Sequence, residues 1–94
     1  MIDNIKGVTE LLKVLSNENR LMIVCYLIEP PMTVSELHKK VNNLTQSALS
    51  QHLAMLKAHG ILESSKSGLS ITYSIKDIRI NNIITVLKKN YCDF

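Results

Sequence analysis

Ninety-four residues carrying eleven Lys and Arg against eight Asp and Glu, a net charge of +3, make one domain, small enough that pairing with a second copy would add usefully to its buried surface. Apolar runs such as Ile23 to Ile28 fall far short of a membrane span, and no basic, apolar, small-residue leader opens the chain, so no membrane partner and a cytoplasmic location are expected. With no Trp and one Phe the core must be built of Leu, Ile, Val and Met, and no repeat or low-complexity tract is present.

In chain order, Ile5, Val8, Leu11, Leu12 and Leu15 recur at helical spacing, and Leu21, Val24, Cys25 and Ile28 do so again after the polar break Ser16-Asn17-Glu18-Asn19. Pro30 and Pro31 close the second helix, because proline lacks the amide donor and pushes its predecessor out of helical geometry. Thr33 with Glu36 three residues on has capping-box spacing and opens a third helix, which fades at Asn42-Asn43. Thr45 caps a fourth that runs to Gly60, a glycine at the position where left-handed backbone ends a helix. The period then changes. Ile71, Tyr73 and Ile75 alternate with Thr72 and Ser74, and Lys66-Ser67-Gly68 interrupts the run upstream, which predicts a β-hairpin with a basic tip. Ile80, Ile83, Ile84, Leu87 and Tyr91 form a last amphipathic helix, with Asp77 as its cap and Lys88 and Lys89 opposing the dipole at its end. The expected class is mainly α with one hairpin, in the order α-α-α-α-β-β-α.

Charge is unevenly spread along these elements. Residues 37–76 hold five lysines (Lys39, Lys40, Lys57, Lys66, Lys76) and one acid, Glu63, while the remaining residues carry six basic and seven acidic groups. The positive excess thus sits in one segment, the footprint expected of a polyanion site, although a merely solvated basic face would look the same on charge alone. A helix, an Asn-containing turn, a polar-faced helix and then a hairpin is the order of a winged helix-turn-helix. In the fourth helix Leu49, Leu53 and Leu56 share a face that must pack inward, so Gln46, Ser47, Ser50 and Gln51 project outward. Gln pairs bidentately with adenine and Ser donates or accepts at base edges, so these four suit direct readout of double-stranded DNA. His52 reaches a phosphate or packs on its neighbours, and Lys39, Lys40, Lys57 and Lys66 are the expected phosphate contacts.

These residues resemble a known family. Lys13-Val14-Leu15-Ser16-Asn17-Glu18-Asn19-Arg20-Leu21-Met22-Ile23, Thr45-Gln46-Ser47-Ala48-Leu49-Ser50-Gln51-His52-Leu53 and Leu56-Lys57-Ala58-His59-Gly60-Ile61-Leu62 are similar to the blocks of the ArsR/SmtB winged-helix repressors. The likeness extends over nearly the whole chain and includes the strand Ile71-Thr72-Tyr73-Ser74-Ile75. It implies one winged domain over 1–94, with the helix-turn-helix at about 33–60, the wing at about 62–75 and dimerisation helices at about 4–16 and 77–92. It further implies a homodimer through the first and last helices, recognition helices in successive major grooves of an imperfect palindrome, and release on sensing a small effector.

Many members of that family sense metals. The Cys-x-Cys-x-x-Cys positions of the arsenical and cadmium sensors match Thr33, Ser35 and His38 here, and the zinc sensors' last-helix histidines have no counterpart between Asp77 and Phe94. A divalent ion wants about four N, O or S ligands, so no metal and no cofactor is expected. His38, His52 and His59 are expected as a surface residue, a recognition-helix residue and a helix-end residue.

Two cysteines remain. Cys25 lies on the apolar stripe of the second helix, where a thiol serves most often as a small hydrophobe, and Cys92 ends the last helix. A structural disulfide does not suit the cytosol, and from the residues alone inert thiols and a redox pair both stand. The segments around Cys25 and Cys92 resemble the paired-cysteine blocks of the BigR/HlyU branch, whose members respond to reactive sulfur or oxidants. The resemblance implies a Cys25/Cys92 dithiol switch that releases the operator. A metal-responsive repressor and a ligand-independent winged-helix regulator are the alternatives. No enzyme is expected, because the chain lacks a Gly-rich phosphate loop, paired carboxylates near a His, and any Cys-His-Asn set with a local signature.

Overall fold

The computed structural model describes residues 2–92. A short 3₁₀ turn, Ile2–Asn4, leads into α1 (Ile5–Leu15) and α2 (Glu18–Leu27); β1 (Met32–Thr33) precedes α3 (Val34–Lys40) and α4 (Gln46–Ala58), and β2 (Leu62–Ser67) and β3 (Ser70–Ile75) form the hairpin before α5 (Ile78–Tyr91). No helix among the described residues is long and apolar enough to cross a membrane.

Each boundary has a local cause. The Asn17 side chain accepts the Arg20 amide at 3.0 Å and starts α2, while the Arg20 Nε–H donates back to the Val14 carbonyl at 2.7 Å and satisfies one of the orphan acceptors ending α1. Thr33 and Glu36 form the full reciprocal capping box, the Glu36 amide donating to Thr33 Oγ1 at 3.1 Å and the Thr33 amide to Glu36 Oε1 at 2.8 Å. Those bonds hold the Glu36 carboxyl below its ordinary pKa. Thr45 Oγ1 accepts the Ala48 amide at 3.1 Å and opens α4. At the other end of α4, Gly60 adopts φ +74°, the Ile61 amide donates to Leu56 O at 3.0 Å and the Gly60 amide to Lys57 O at 3.0 Å. This paired closure needs a residue free of Cβ strain, and Ile61 and Leu56, both buried, supply the apolar contact that accompanies it.

The hairpin belongs to a three-stranded antiparallel sheet in the order β1-β3-β2, with Met32↔Tyr73 and Thr33↔Thr72 joining β1 to β3. The sequence predicts two strands; β1 is additional. Two residues after a diproline carry no periodicity, and β1 exists because the chain leaving Pro31 is laid alongside Tyr73 and Thr72. The predicted tip also differs. Lys66 lies within β2 opposite Ile71, and the turn itself is Gly68-Leu69, closed by the Ser67↔Ser70 pair.

One apolar cluster holds the fold together. Leu49, Leu53 and Leu56 of α4 meet Ile23, Val24 and Leu27 of α2, Leu37 of α3, Ile61 and Leu62 leading into β2, and Ile80 and Ile84 of α5. No polar or charged side chain is buried with them among the described residues, so cohesion here is non-directional area burial. The first and last helices leave apolar side chains outside that cluster. Ile5 and Leu12 on α1, and Ile78 and Val86 on α5, are exposed.

Candidate nucleic-acid interface and thiol groove

Burying the 49/53/56 stripe of α4 fixes which side of that helix faces solvent. Gln46, Ser47, Ser50 and Gln51 are all exposed on the opposite side, joined by Ala54 and Ala58. The two alanines are part of this surface that the sequence reading passed over. Their short side chains leave the C-terminal half of the face low, so a flat or grooved partner can approach the backbone there. His52 is half-buried beside the stripe.

Cations border this face. Lys39 and Lys40 stand exposed on the last turn of α3, and Lys66 is exposed in the wing. The Lys57 ammonium donates to Ser64 Oγ at 2.8 Å, which ties the end of α4 to the base of β2. Ser64, absent from the sequence-based set, therefore holds a lysine in place, and only the three-dimensional pairing of helix and strand reveals it. Because strand residues alternate sides, Leu62, Ser64 and Lys66 share one face of the hairpin with their partners Ile75, Tyr73 and Ile71. The buried Leu62 marks that face as the inner one, so Lys66 overhangs on the side of the core and of α4.

His38, expected on the surface, is half-buried instead. Its Nε2–H donates to the Leu44 carbonyl at 2.9 Å, a bond that crosses the turn between α3 and α4; a carbonyl only accepts, which fixes the proton on Nε2. Thr33 is committed to the capping box, so two of the three positions matching the family's cysteine triplet have structural partners. His59 caps the end of α4, its Nδ1–H donating to the Met55 carbonyl at 3.0 Å. Among the described residues, no three His, Cys, Asp or Glu side chains gather into a group able to hold a metal ion.

Far from α4 in sequence, Cys25 and Cys92 line one open groove of about 910 Å³ between α2 and α5, walled by Leu21, Met22, Tyr26, Ile84 and Tyr91. Both thiols are free; Cys25 is half-buried and Cys92 exposed. Burial, then the neighbouring Cys92, push the Cys25 thiol above its ordinary pKa, and the Lys88 ammonium pulls it partly back. The resting Cys25 is therefore mostly protonated at neutral pH, and these two distant segments share one electrostatic environment. On α5 the groove is lined by Ile84, Leu87, Lys88 and Tyr91, and Leu87 also borders the exposed patch that holds Ile83 and Val86, so the groove and the exposed apolar face of the helix adjoin.

The Bacterial regulatory protein, arsR family, model matches residues 17–64, the span from the cap of α2 to the middle of β2. The chain is 38% identical over 82 residues to the Transcriptional activator HlyU of Vibrio cholerae, covering 87% of this chain and 75% of that one. It is 40% identical over 82 residues to the HTH-type transcriptional regulator YgaV of Escherichia coli, covering 87% and 83%. Among solved structures, reduced HlyU from Vibrio cholerae superposes with TM-score 0.89 at 36% identity over 98% of this chain and 96% of that one. The repressor BigR from Xylella fastidiosa gives TM-score 0.91 at 33% identity over 98% and 93%. With the matched blocks falling on the helix-turn-helix and the whole winged fold superposing, this chain belongs to the ArsR family of winged-helix DNA-binding transcriptional regulators, in the branch of HlyU and BigR, and is not an enzyme.

Proposed function

We propose that the chain works as a homodimeric repressor that holds an imperfect palindrome through α4 and the wing and lets go when Cys25 and Cys92 are oxidised or persulfidated. In this reading Gln46, Ser47, Ser50 and Gln51 contact base edges, while His52, Lys39, Lys40, Lys57 and Lys66 meet phosphates. The exposed apolar residues of α1 and α5 are the surface a second copy covers. Removing Lys66 with Ala is expected to weaken all duplexes alike and to flatten the slope of log affinity against log salt by about one unit per subunit, measured by anisotropy titrations across a salt series.

The observation carrying the switch is the shared groove, which both Cys25 of α2 and Cys92 after α5 line although they are far apart in the chain. A persulfide R–S–SH supplies the oxidising equivalents. One cysteine thiolate attacks its outer sulfur and expels R–S⁻; the other then attacks the Sγ of that persulfidated cysteine and expels hydrosulfide, leaving a Cys25–Cys92 disulfide. Two thiols are oxidised and one sulfane sulfur is reduced to sulfide. The bridge closes a loop of about 68 residues, worth about 4 kcal/mol in the chain-entropy model. Tying α2 to α5 alters how the two copies present their α4 helices, and a coupling of even about 1–3 kcal/mol weakens binding roughly fivefold or more.

The test is release of a duplex selected from a randomised pool. The wild-type complex is expected to dissociate on addition of an organic polysulfide and to yield a Cys25–Cys92 cross-linked peptide pair by mass spectrometry. Cys25→Ser is expected to bind the reduced-state duplex normally and to ignore the polysulfide. If Cys25→Ser released DNA like the wild type, the dithiol reading would be wrong.

A further inference from the structure

We propose that Leu69, at the tip of the wing, is an apolar wedge that enters the minor groove beside the site contacted by α4 and gives the protein a preference for an easily opened base step there. This rests on the DNA reading above and goes beyond the lysines assigned to it. β1 pairs only with Tyr73 and Thr72, so past the Lys66↔Ile71 pair the hairpin projects with no third strand beside it. The projection ends in a two-residue turn. Gly68 at its first position has φ +61°, and no non-glycine residue among those described has positive φ, the turn class whose twist matches the flanking strands. The tip is therefore short and pre-shaped, and little freedom remains to be lost on binding.

Leu69 is fully exposed. A large aliphatic side chain held there stabilises nothing within the chain, and a polar residue would satisfy the turn equally well. Its surroundings select the partner. Ser67 and Ser70 flank it, Ser65 and Thr72 follow on the outer face, Lys66 is the first charge met along the hairpin, and residues 64–76 hold no carboxylate. A lone leucine with hydroxyls and one cation around it is far too small an apolar surface for a protein interface, which needs about 800 Å² per partner. It does fit a groove about 6 Å wide walled by phosphates, where hydroxyl and ammonium groups meet the backbone and one thin apolar side chain reaches a base step. The Lys57–Ser64 bond fixes the wing base to the end of α4, so the tip lies at a set reach from the bases α4 would touch.

The experiment uses a duplex selected from a randomised pool by the wild-type protein, with affinities from fluorescence anisotropy over a salt series. Leu69→Ser is expected to melt at the wild-type temperature and to bind about tenfold more weakly at every salt concentration, without the change in salt slope expected of Lys66→Ala. Replacing the flanking pyrimidine–purine step by a G·C-rich one is expected to weaken the wild type and leave Leu69→Ser unaffected, and 2-aminopurine at that step is expected to brighten only with the wild type. Leu69→Ser binding within twofold of wild type, or an equal flank penalty in both proteins, would overturn the wedge while leaving the DNA reading standing. A wild type that selects no duplex would overturn both.

Discussion

Changing Val86 to Asp is expected to leave a folded monomer that has lost about 10²–10⁴-fold in affinity for a palindromic duplex. Val86 is 58% exposed on the face of α5 that points away from Ile80 and Ile84, so the substitution spares the core. Under the homodimer reading that face is covered by a second copy. Burying a carboxylate there strips it of water, and pairing with Lys89 three residues on offsets only part of that cost, which is large enough to split a modest interface. Once the copies separate, each α4 binds its half-site alone and the gain from linked binding disappears. Light scattering after gel filtration gives the mass, and anisotropy on whole and half palindromes gives the affinity. A Val86→Asp protein that still runs as a dimer would move the interface elsewhere.

Leu53→Ala is expected to cost about 2–5 kcal/mol of folding stability, out of a total that for a domain of this size is about 5–15 kcal/mol. Leu53 is 0% exposed, the middle residue of the stripe by which α4 seats on α2, and the residues around it are held by their own helices and cannot collapse into the gap. The check is urea denaturation with an unchanged slope and a lower midpoint. Gln51→Ala, one turn-face away, is the contrasting case. Its side chain is exposed, so stability should change by no more than about 0.5 kcal/mol, while discrimination at one base pair should fall by about 1–3 kcal/mol. A large stability loss from Gln51→Ala would mean that the outward face of α4 has a structural duty instead.

Local signals in the sequence were sufficient wherever they are strong and self-contained. Thr33 with Glu36, Thr45 before α4, Gly60 after it and Asp77 before α5 are each a side chain or a missing Cβ solving a backbone problem within four residues, and each is observed in its expected place. The inward stripe of α4 follows from spacing alone. What escaped depends on contacts between segments distant in the chain: β1 takes its form from β3, Ser64 acts through Lys57, and His38 reaches across a turn to Leu44. Periodicity also does not say what a stripe packs against. Leu12 and Leu15 belong to one apolar stripe in sequence, yet Leu15 is buried and Leu12 lies open.

The two-residue strand β1 makes the length of one connection matter far more than its composition suggests. Thr33 is at once a ladder partner of Thr72 and the hydroxyl that caps α3. Inserting or deleting a single residue after Pro31 leaves the Thr33–Glu36 spacing intact, so the shift falls on the ladder: either Met32 and Thr33 slip against Tyr73 and Thr72, or α3 is dragged along with its cap. At Gly68-Leu69, by contrast, added residues lengthen a loop and leave the six β2–β3 pairs in step. The fold itself therefore tolerates a change of length at the far end of the hairpin much better than at the diproline connection, even though both are short surface segments.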